Sequence, residues 1–266
     1  MKTKLGRQEA QLLAYAHLQK RRTIATGDLT GPLGLSRQQE RELFRRMARG
    51  GLIARVRPGL YLVPPRLPLG GAWSPDEALA LNALMRDCLG RYQICGPNAF
   101  NHYGFDEQVP TRVYAYNNRL SGQRCIGAVA LSLIKVDERR LGATERVSTP
   151  EGDQAIYSSR PRTLVDAVHD WSRFDSLPRA FQWIRAELDN GRVTPEELIR
   201  LARRYANQGT RRRIGAVLEQ LGAPAAALAR LQASLTCSKA LIPWVPVNPK
   251  RGRVNRRWGV VLNDET

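Results

Sequence analysis

A chain of 266 residues, 42% of them hydrophobic, has enough apolar side chains for one large core or two smaller ones. The formal charge is +18, from 42 Lys+Arg against 24 Asp+Glu, which favours a polyanionic partner. No apolar run approaches the roughly 18 to 20 residues of a membrane span, and the polar N-terminus has no signal-peptide core, so the reading is a cytoplasmic protein with no membrane partner.

The first helix is predicted over about Arg7 to Lys20, with Ala10, Leu12, Leu13, Ala16 and His17 on its apolar side. Thr26 then stands where it would cap a short second helix packed through Leu29 and Leu33, which Gly31-Pro32 keeps short or irregular. The third helix, in SRQQERELFRRMARGG from Ser36 to Gly51, is the stretch around which the reading is organised. Ser36 with Gln39 is a capping-box pattern and Gly50-Gly51 a stop. At about 100° per residue Leu43, Phe44 and Met47 share one stripe, which leaves Gln38, Arg41, Glu42, Arg45 and Arg49 outward, flanked by Arg37 and Arg46. Such a helix also suits a plain solvated face; the surrounding charge weighs against that.

LIARVRPGLYLV, from Leu52 to Val63, follows as two short β runs around the turn Arg57-Pro58-Gly59. Helix, short helix, polar helix and hairpin is the order of a winged helix-turn-helix, whose third helix enters the major groove while the wing lies along the backbone. On that geometry Gln38, Arg41 and Arg45 are the base-reading candidates, since Arg pairs with guanine and Gln with adenine in bidentate fashion. Thr26, Arg37, Arg49, Arg55 and Arg57 are then phosphate contacts that position without reading sequence. A winged helix that docks on protein is the competing use of the same elements.

Pro64 to Gly71, PPRLPLGG, marks a boundary, giving residues 1–66, a linker at 67–73 and a second domain at 74–266. Ser74-Pro75-Asp76-Glu77 reads as a capping box opening a helix to about Cys88. A strand at Tyr92–Cys95, a short helix at Asn98–Tyr103, a strand at Arg112–Tyr116 and one or two strands around Gly127 come next. Five helical segments then run from about residue 161 to 235. The predicted class is α+β: a winged helix followed by a larger mixed domain, strands first and a bundle-like helical part after.

Charge is spread unevenly. Residues 1–66 hold 14 basic and 4 acidic side chains, 67–199 hold 15 and 17, and 200–257 hold 13 and 1. An arginine-rich genome explains the 36 Arg against 6 Lys but not two basic poles around a neutral middle. The second pole holds Arg200, Arg203, Arg204, Arg211, Arg212, Arg213, Arg251, Arg253, Arg256 and Arg257. Within it Arg204, Arg211–Arg213, Arg251, Arg253, Arg256 and Arg257 form a candidate accessory surface, for DNA or for an acidic protein face. Trp244, Val245, Val247, Trp258, Val260, Val261 and Leu262 predict that this segment packs back as extended strands.

The four cysteines, Cys88, Cys95, Cys125 and Cys237, include no CxxC pair and read as buried free thiols. No metal site, cofactor or catalytic residue is assigned. His102 reads as a packed histidine, and Asp166, His169 and Asp170 on one helix face as capping and surface pairing. The acid-x-Lys element of a restriction-type nuclease is missing at Lys135, which follows Leu133 by two.

GLIARVRPGLYLV, YQICGPNAFNHYGF, VPTRVYAY, RPRTLVDAV and RRRIGAVLEQLGA occur in this order, and together they resemble the AbiEi-type antitoxins of bacterial type IV toxin-antitoxin systems. The resemblance covers the chain to about residue 223 and rests on pattern and order. It implies an N-terminal winged helix binding inverted repeats in its own promoter and a C-terminal domain that neutralises a nucleotidyltransferase-like toxin. On that basis the DNA-binding set spans the Ser36 helix and the hairpin from Arg55 to Tyr61; no toxin-contacting residue carries over. The reading is therefore a non-enzymatic, autoregulatory, DNA-binding antitoxin. A stand-alone regulator whose second domain binds a ligand or protein is the alternative, and a DNA-processing enzyme the third.

Overall fold

The computed structural model describes residues 5–66 and 72–264, and the chain is mixed α+β. The predicted linker at 67–73 falls largely on residues 67–71, outside the described residues. By contact density the chain forms two units: residues 1–92, 111–136 and 146–156 in one, and 93–110, 137–145 and 157–266 in the other.

The first unit opens with α1 (Arg7–Leu18), β1 (Thr23–Ala25), α2 (Arg37–Arg49), β2 (Ala54–Arg57) and β3 (Leu60–Leu62). Ser36 Oγ accepts from Gln39 N while Gln39 Oε1 accepts from Ser36 N, so α2 starts where the pattern placed it. Leu43, Phe44 and Met47 are buried against Leu12, Leu13, Ala16, Ile24 and Leu29. Residues 26–33 differ from expectation: instead of a short helix they form a run of turns, preceded by the strand β1. Glu40, fully buried on α2, supplies the reason. Its carboxylate accepts from Gly27 N at 2.7 Å and Leu29 N at 2.9 Å, satisfying amides that a helix would otherwise use.

β1, β3 and β2 form one antiparallel sheet, with Ile24 opposite Tyr61 and Arg55 opposite Tyr61 on the other side. In β2 Ala54 and Val56 point inward and Arg55 and Arg57 outward, as a two-residue period requires. Gly59 turns the hairpin at φ +81°, and its carbonyl accepts from Thr26 N at 2.9 Å. This unit also holds α3 (Glu77–Asp87), β5 (Val113–Asn117), β6 (Gly122–Ile126) and β7 (Val129–Lys135), after the intervening β4 (Tyr92–Ile94) and α4 (Pro97–His102). The α3 cap is Asp76, whose Oδ1 accepts from Leu79 N at 2.6 Å, rather than Ser74, which instead accepts from Ala128 N. β5 runs parallel to β7, and β6 antiparallel to it.

After a short 3₁₀ turn at Glu138–Arg140 come β8 (Thr144–Ser148) and β9 (Gln154–Ser158), two strands absent from the sequence reading. Within the first unit the strands are ordered β6-β7-β5, and in the second β4 pairs parallel to β9 through Ile94 and Tyr157. The second unit continues with α5 (Arg160–His169), α6 (Trp171–Phe174), α7 (Arg179–Asp189), α8 (Pro195–Tyr205), α9 (Gln208–Gln220) and α10 (Ala225–Gln232). The predicted return of the C-terminal segment is present as β10 (Ile242–Pro243), β11 (Arg253–Asn255) and β12 (Val260–Leu262). Trp258, 1% exposed, lies where any side chain at Gly215 of α9 would strike its ring.

Glu40→Ala leaves two amides of the buried turn without an acceptor and is expected to lower unfolding free energy by about 2 to 4 kcal/mol. Glu40→Gln, which keeps one carbonyl acceptor, costs less. Urea unfolding checks this; equal midpoints for wild type and Glu40→Ala would refute the role given to this carboxylate.

Candidate nucleic-acid interface

The outward stripe of α2 and the hairpin form one wall each of a cleft of about 650 Å³ in the first unit. Thr26, Arg41, Arg45, Arg49, Arg55 and Tyr61 line it together with Ala48, Pro58 and Gly59. Arg41, Arg45 and Arg49 lie at i, i+4 and i+8, so their stems rise at intervals of about 6 Å along α2. Phe44 stacks on Tyr61 with ring centroids 4.7 Å apart, which fixes the hairpin against the helix and sets the width of the cleft. Among the described residues, none of the guanidiniums of Arg41, Arg45, Arg49 and Arg55 has an ion pair or hydrogen bond with the chain. Four unneutralised cations beside an aromatic ring and a short apolar floor make a receptor for phosphate oxygens and planar groups.

Other predicted residues lie outside this cleft. Ser36 is engaged in the cap, Arg37 is exposed at the start of α2, and Gln38 donates to Glu42 Oε1 at 3.3 Å. Arg46 turns back to Glu9 at 2.9 Å. Arg57 is held by Asp87 at the end of α3, with Nε–Oδ2 and Nη2–Oδ1 both at 2.6 Å. That bond raises the Arg57 pKa and lowers the Asp87 pKa, in each case chiefly through the side-chain hydrogen bond. Sequence reasoning missed this pair because its members are 30 residues apart and neither sits in a pattern.

The second basic pole divides in two. Arg211 donates to the carbonyls of Ala202, Arg203 and Ser234, Arg212 to those of Trp258, Ala240 and Gly259, and Arg213 to those of Pro243 and Trp244. Arg212 and Arg213 are buried, and burial followed by the charge of Arg212 pushes the Arg213 pKa down to about 10. These three act as internal staples, which corrects their reading as surface. Arg257 pairs with Glu219 at 2.9 Å, whereas Arg251, Arg253 and Arg256 are exposed. Arg204 lines a separate cleft of the second unit with Arg200, Arg203 and Arg230.

Asp166 accepts from Arg162 at 2.8 Å inside the second unit, and Arg140 contacts Asp166, Asp170 and His169. Burial, and then Arg140, hold the His169 pKa below the ordinary imidazole value. His102 stacks on Tyr157 at 4.4 Å. Two cysteines differ from expectation: Cys125 and Cys237 are exposed, since Cys125 lies on a strand solvated along most of its length and Cys237 in the segment after α10. Asp76, Glu151 and Asp153 bring carboxylate oxygens within 4.8 Å of one another. Asp76 serves the α3 cap and accepts from Thr149 Oγ1, and Asp153 stands 3.9 Å from Arg22.

No helix among the described residues is long and apolar enough to cross a membrane. No protein-family model matches the chain, and no curated protein does. Among solved structures it is similar to the crystal structure of the RV2827C protein from Mycobacterium tuberculosis, with a TM-score of 0.58 over 97% of this chain and 92% of that one. At 18% identity the likeness concerns the fold alone.

The Arg57–Asp87 pair gives a titration test. A carboxylate with a depressed folded pKa contributes above the ordinary range and loses that contribution as pH falls through its lowered value. Because both side chains are solvated, with 46% and 20% exposure, the effect on stability is expected to be small. Carboxyl NMR should show Asp87 titrating below an ordinary aspartate in wild type and returning toward that range in Arg57→Gln. An Asp87 titration unmoved by the substitution would dissolve the pair.

Proposed function

We propose that this chain is a DNA-binding regulator whose N-terminal elements form a winged helix-turn-helix, with α2 as the recognition helix and β2–β3 as the wing. One observation carries the reading: the helix arginines Arg41, Arg45 and Arg49 and the hairpin residues Arg55 and Tyr61 converge on a single cleft with their cations unneutralised. Duplex DNA supplies what such a surface lacks, a polyanion whose major groove admits a helix and whose guanine edges accept a guanidinium fork. Arg41 and Arg45 are the base readers, with Gln38 once it leaves Glu42. Thr26, Arg37, Arg49 and Arg55 hold phosphates. Arg57 acts through Asp87, fixing the wing to α3, in place of a backbone contact.

The regulatory context we propose is that of an antitoxin: a cytoplasmic repressor of its own promoter whose larger part neutralises a nucleotidyltransferase-like toxin. This rests on the sequence resemblance, from the hairpin through RRRIGAVLEQLGA. The second reading, a stand-alone regulator with a ligand-binding C-terminal part, is favoured by the arginine-lined cleft of the second unit.

Gel-shift titration with the DNA upstream of its own gene tests the first claim. Arg41→Ala with Arg45→Ala should weaken specific binding by roughly 1 to 3 kcal/mol per lost base contact and affect random DNA much less. Arg55→Ala should weaken both and reduce the salt slope by about 1. Equal binding of promoter DNA by wild type and the double variant would remove α2 as the reader. For the second claim, co-expression with an adjacent nucleotidyltransferase-like reading frame should restore growth, and the Arg41/Arg45 variant should restore it too while losing repression. Growth arrest unrelieved by the wild-type chain would sink the antitoxin assignment.

A further inference from the structure

A second cleft, of about 640 Å³, lies between α8 and α10 in the second unit, with a lining of a different kind. Arg200, Arg203 and Arg204 enter it from α8 and Arg230 from α10, while Glu196 and Glu197 stand at the opposite end of α8. Ile199 and Ala227, both buried, contribute an apolar floor.

The four arginines share no hydrogen bond or ion pair with the chain through their guanidiniums, among the described residues. Arg204 only approaches the Tyr205 ring, at 6.0 Å. Of the two glutamates in the lining, Glu197 accepts through Oε2 from Thr194 N at 2.9 Å in the α8 capping box, and neither forms an ion pair with these arginines among the described residues. The walls are also tied together. Arg211 donates to Arg203 O at 2.8 Å on α8 and to Ser234 O at 3.0 Å just beyond α10, so a fifth cation fixes the basic end without entering the lining. Like charges gathered around one recess repel, and an anion placed among them relieves that repulsion.

From these features we infer that the α8–α10 cleft is a binding site for a small organic anion bearing two or more phosphate or carboxylate groups. The volume falls in the range of small-molecule pockets, and Arg presents the forked donors that such oxygens accept bidentately. A nucleic-acid strand fits poorly, because its phosphates continue in both directions and Glu196 and Glu197 would meet them at one end. The same glutamates suit hydroxyl or amine donors on the far end of a small ligand. The inference is independent of the DNA-binding reading, which concerns other residues in the other unit.

Isothermal titration of the full chain with pyrophosphate, and in parallel with citrate, tests it. Wild type should bind at least one of them at a saturable site that persists when the α2 cleft is altered. Arg41→Gln with Arg45→Gln, which alters the α2 cleft, should leave that site intact, whereas Arg200→Gln with Arg230→Gln should weaken it roughly tenfold or more. Both arginines are exposed, so folding should persist; circular dichroism checks this, and Arg203→Gln serves as a milder variant with a smaller loss in the same direction. Absence of binding by wild type, or equal binding by all variants, overturns the proposal. So does tighter binding of a hexaglutamate peptide than of either small anion, which would hand the cleft to an acidic protein segment. Preference between pyrophosphate and citrate tells phosphate from carboxylate.

Discussion

What α2 presents to the outside depends on a carboxylate on its inner face. Glu40 lies among Leu43, Phe44 and Met47 and holds the amides of Gly27 and Leu29. A buried acid that accepts two backbone N–H groups is costly to rotate away, since both donors would lose their partners. The inner stripe is thereby fixed about the helix axis, and with a period of 3.6 the outer stripe is fixed too: Arg41, Arg45 and Arg49 have no alternative but to face outward. Phe44 transmits the constraint one step further by stacking on Tyr61, so the hairpin is set against the same helix that carries the arginines. Thr26 N on the Gly59 carbonyl completes it, placing the Glu40-bound turn at the tip of the hairpin. The cleft is a geometric consequence of how this small core is satisfied.

How much of this is legible in the chain depends on the distance over which each element is determined. The α2 boundaries are local facts: a serine cap, a glutamine three residues on, an apolar stripe and a double glycine. The hairpin is equally local, since Pro58-Gly59 supplies the turn and alternation places Arg55 and Arg57 outward. Residues 26–33 are a different case. Their turns are stabilised by an acid on another element, and nothing within the segment reveals that acid, so a capping threonine followed by spaced leucines imitates a short helix. β8 and β9 escape for a related reason: β8 is exposed along most of its length, so the hydrophobic alternation that marks a strand is absent from it. Asp87 as the partner of Arg57, and the carbonyls that receive Arg212 and Arg213, lie 28 or more residues away in sequence.

The run Arg211-Arg212-Arg213 shows why charge alone misplaces residues. Three consecutive arginines invite a reading as surface, yet one guanidinium carries five donors and can serve several carbonyls left open by helix ends and irregular strands. Arg211 does so for the last turn of α8 and the turn after α10, and Arg212 for the carbonyls of Ala240, Trp258 and Gly259, around the C-terminal strands. Lysine, with a compact ammonium and three donors, would not span the same set. Part of the basic pole is therefore architecture, joining α9 to the segment that packs back on it. A signal was present in sequence: the run is followed by Ile214-Gly215, and Gly215 leaves room for the large ring of Trp258.

With the architectural arginines set aside, two sets of guanidiniums without an acid partner line clefts, one in each unit. Each unit holds a cleft with several guanidiniums that share no acid among the described residues, and two nearby glutamates are engaged on their own helices. Glu42 is bound by Gln38 and Glu197 by the cap of α8. Elsewhere exposed or half-exposed arginines do find acids, as Arg179 finds Asp106, Arg192 finds Glu187 and Arg257 finds Glu219. Glu42 and Glu197 are each directed by a neighbour close in sequence. Gln38, placed one turn before Glu42, draws that carboxylate along the helix and away from Arg45; Thr194, as the α8 cap, draws Glu197 back onto its own first turn. In both clefts ordinary helix chemistry gives a glutamate a partner on its own helix, and the arginines are left open to an anion from outside the chain.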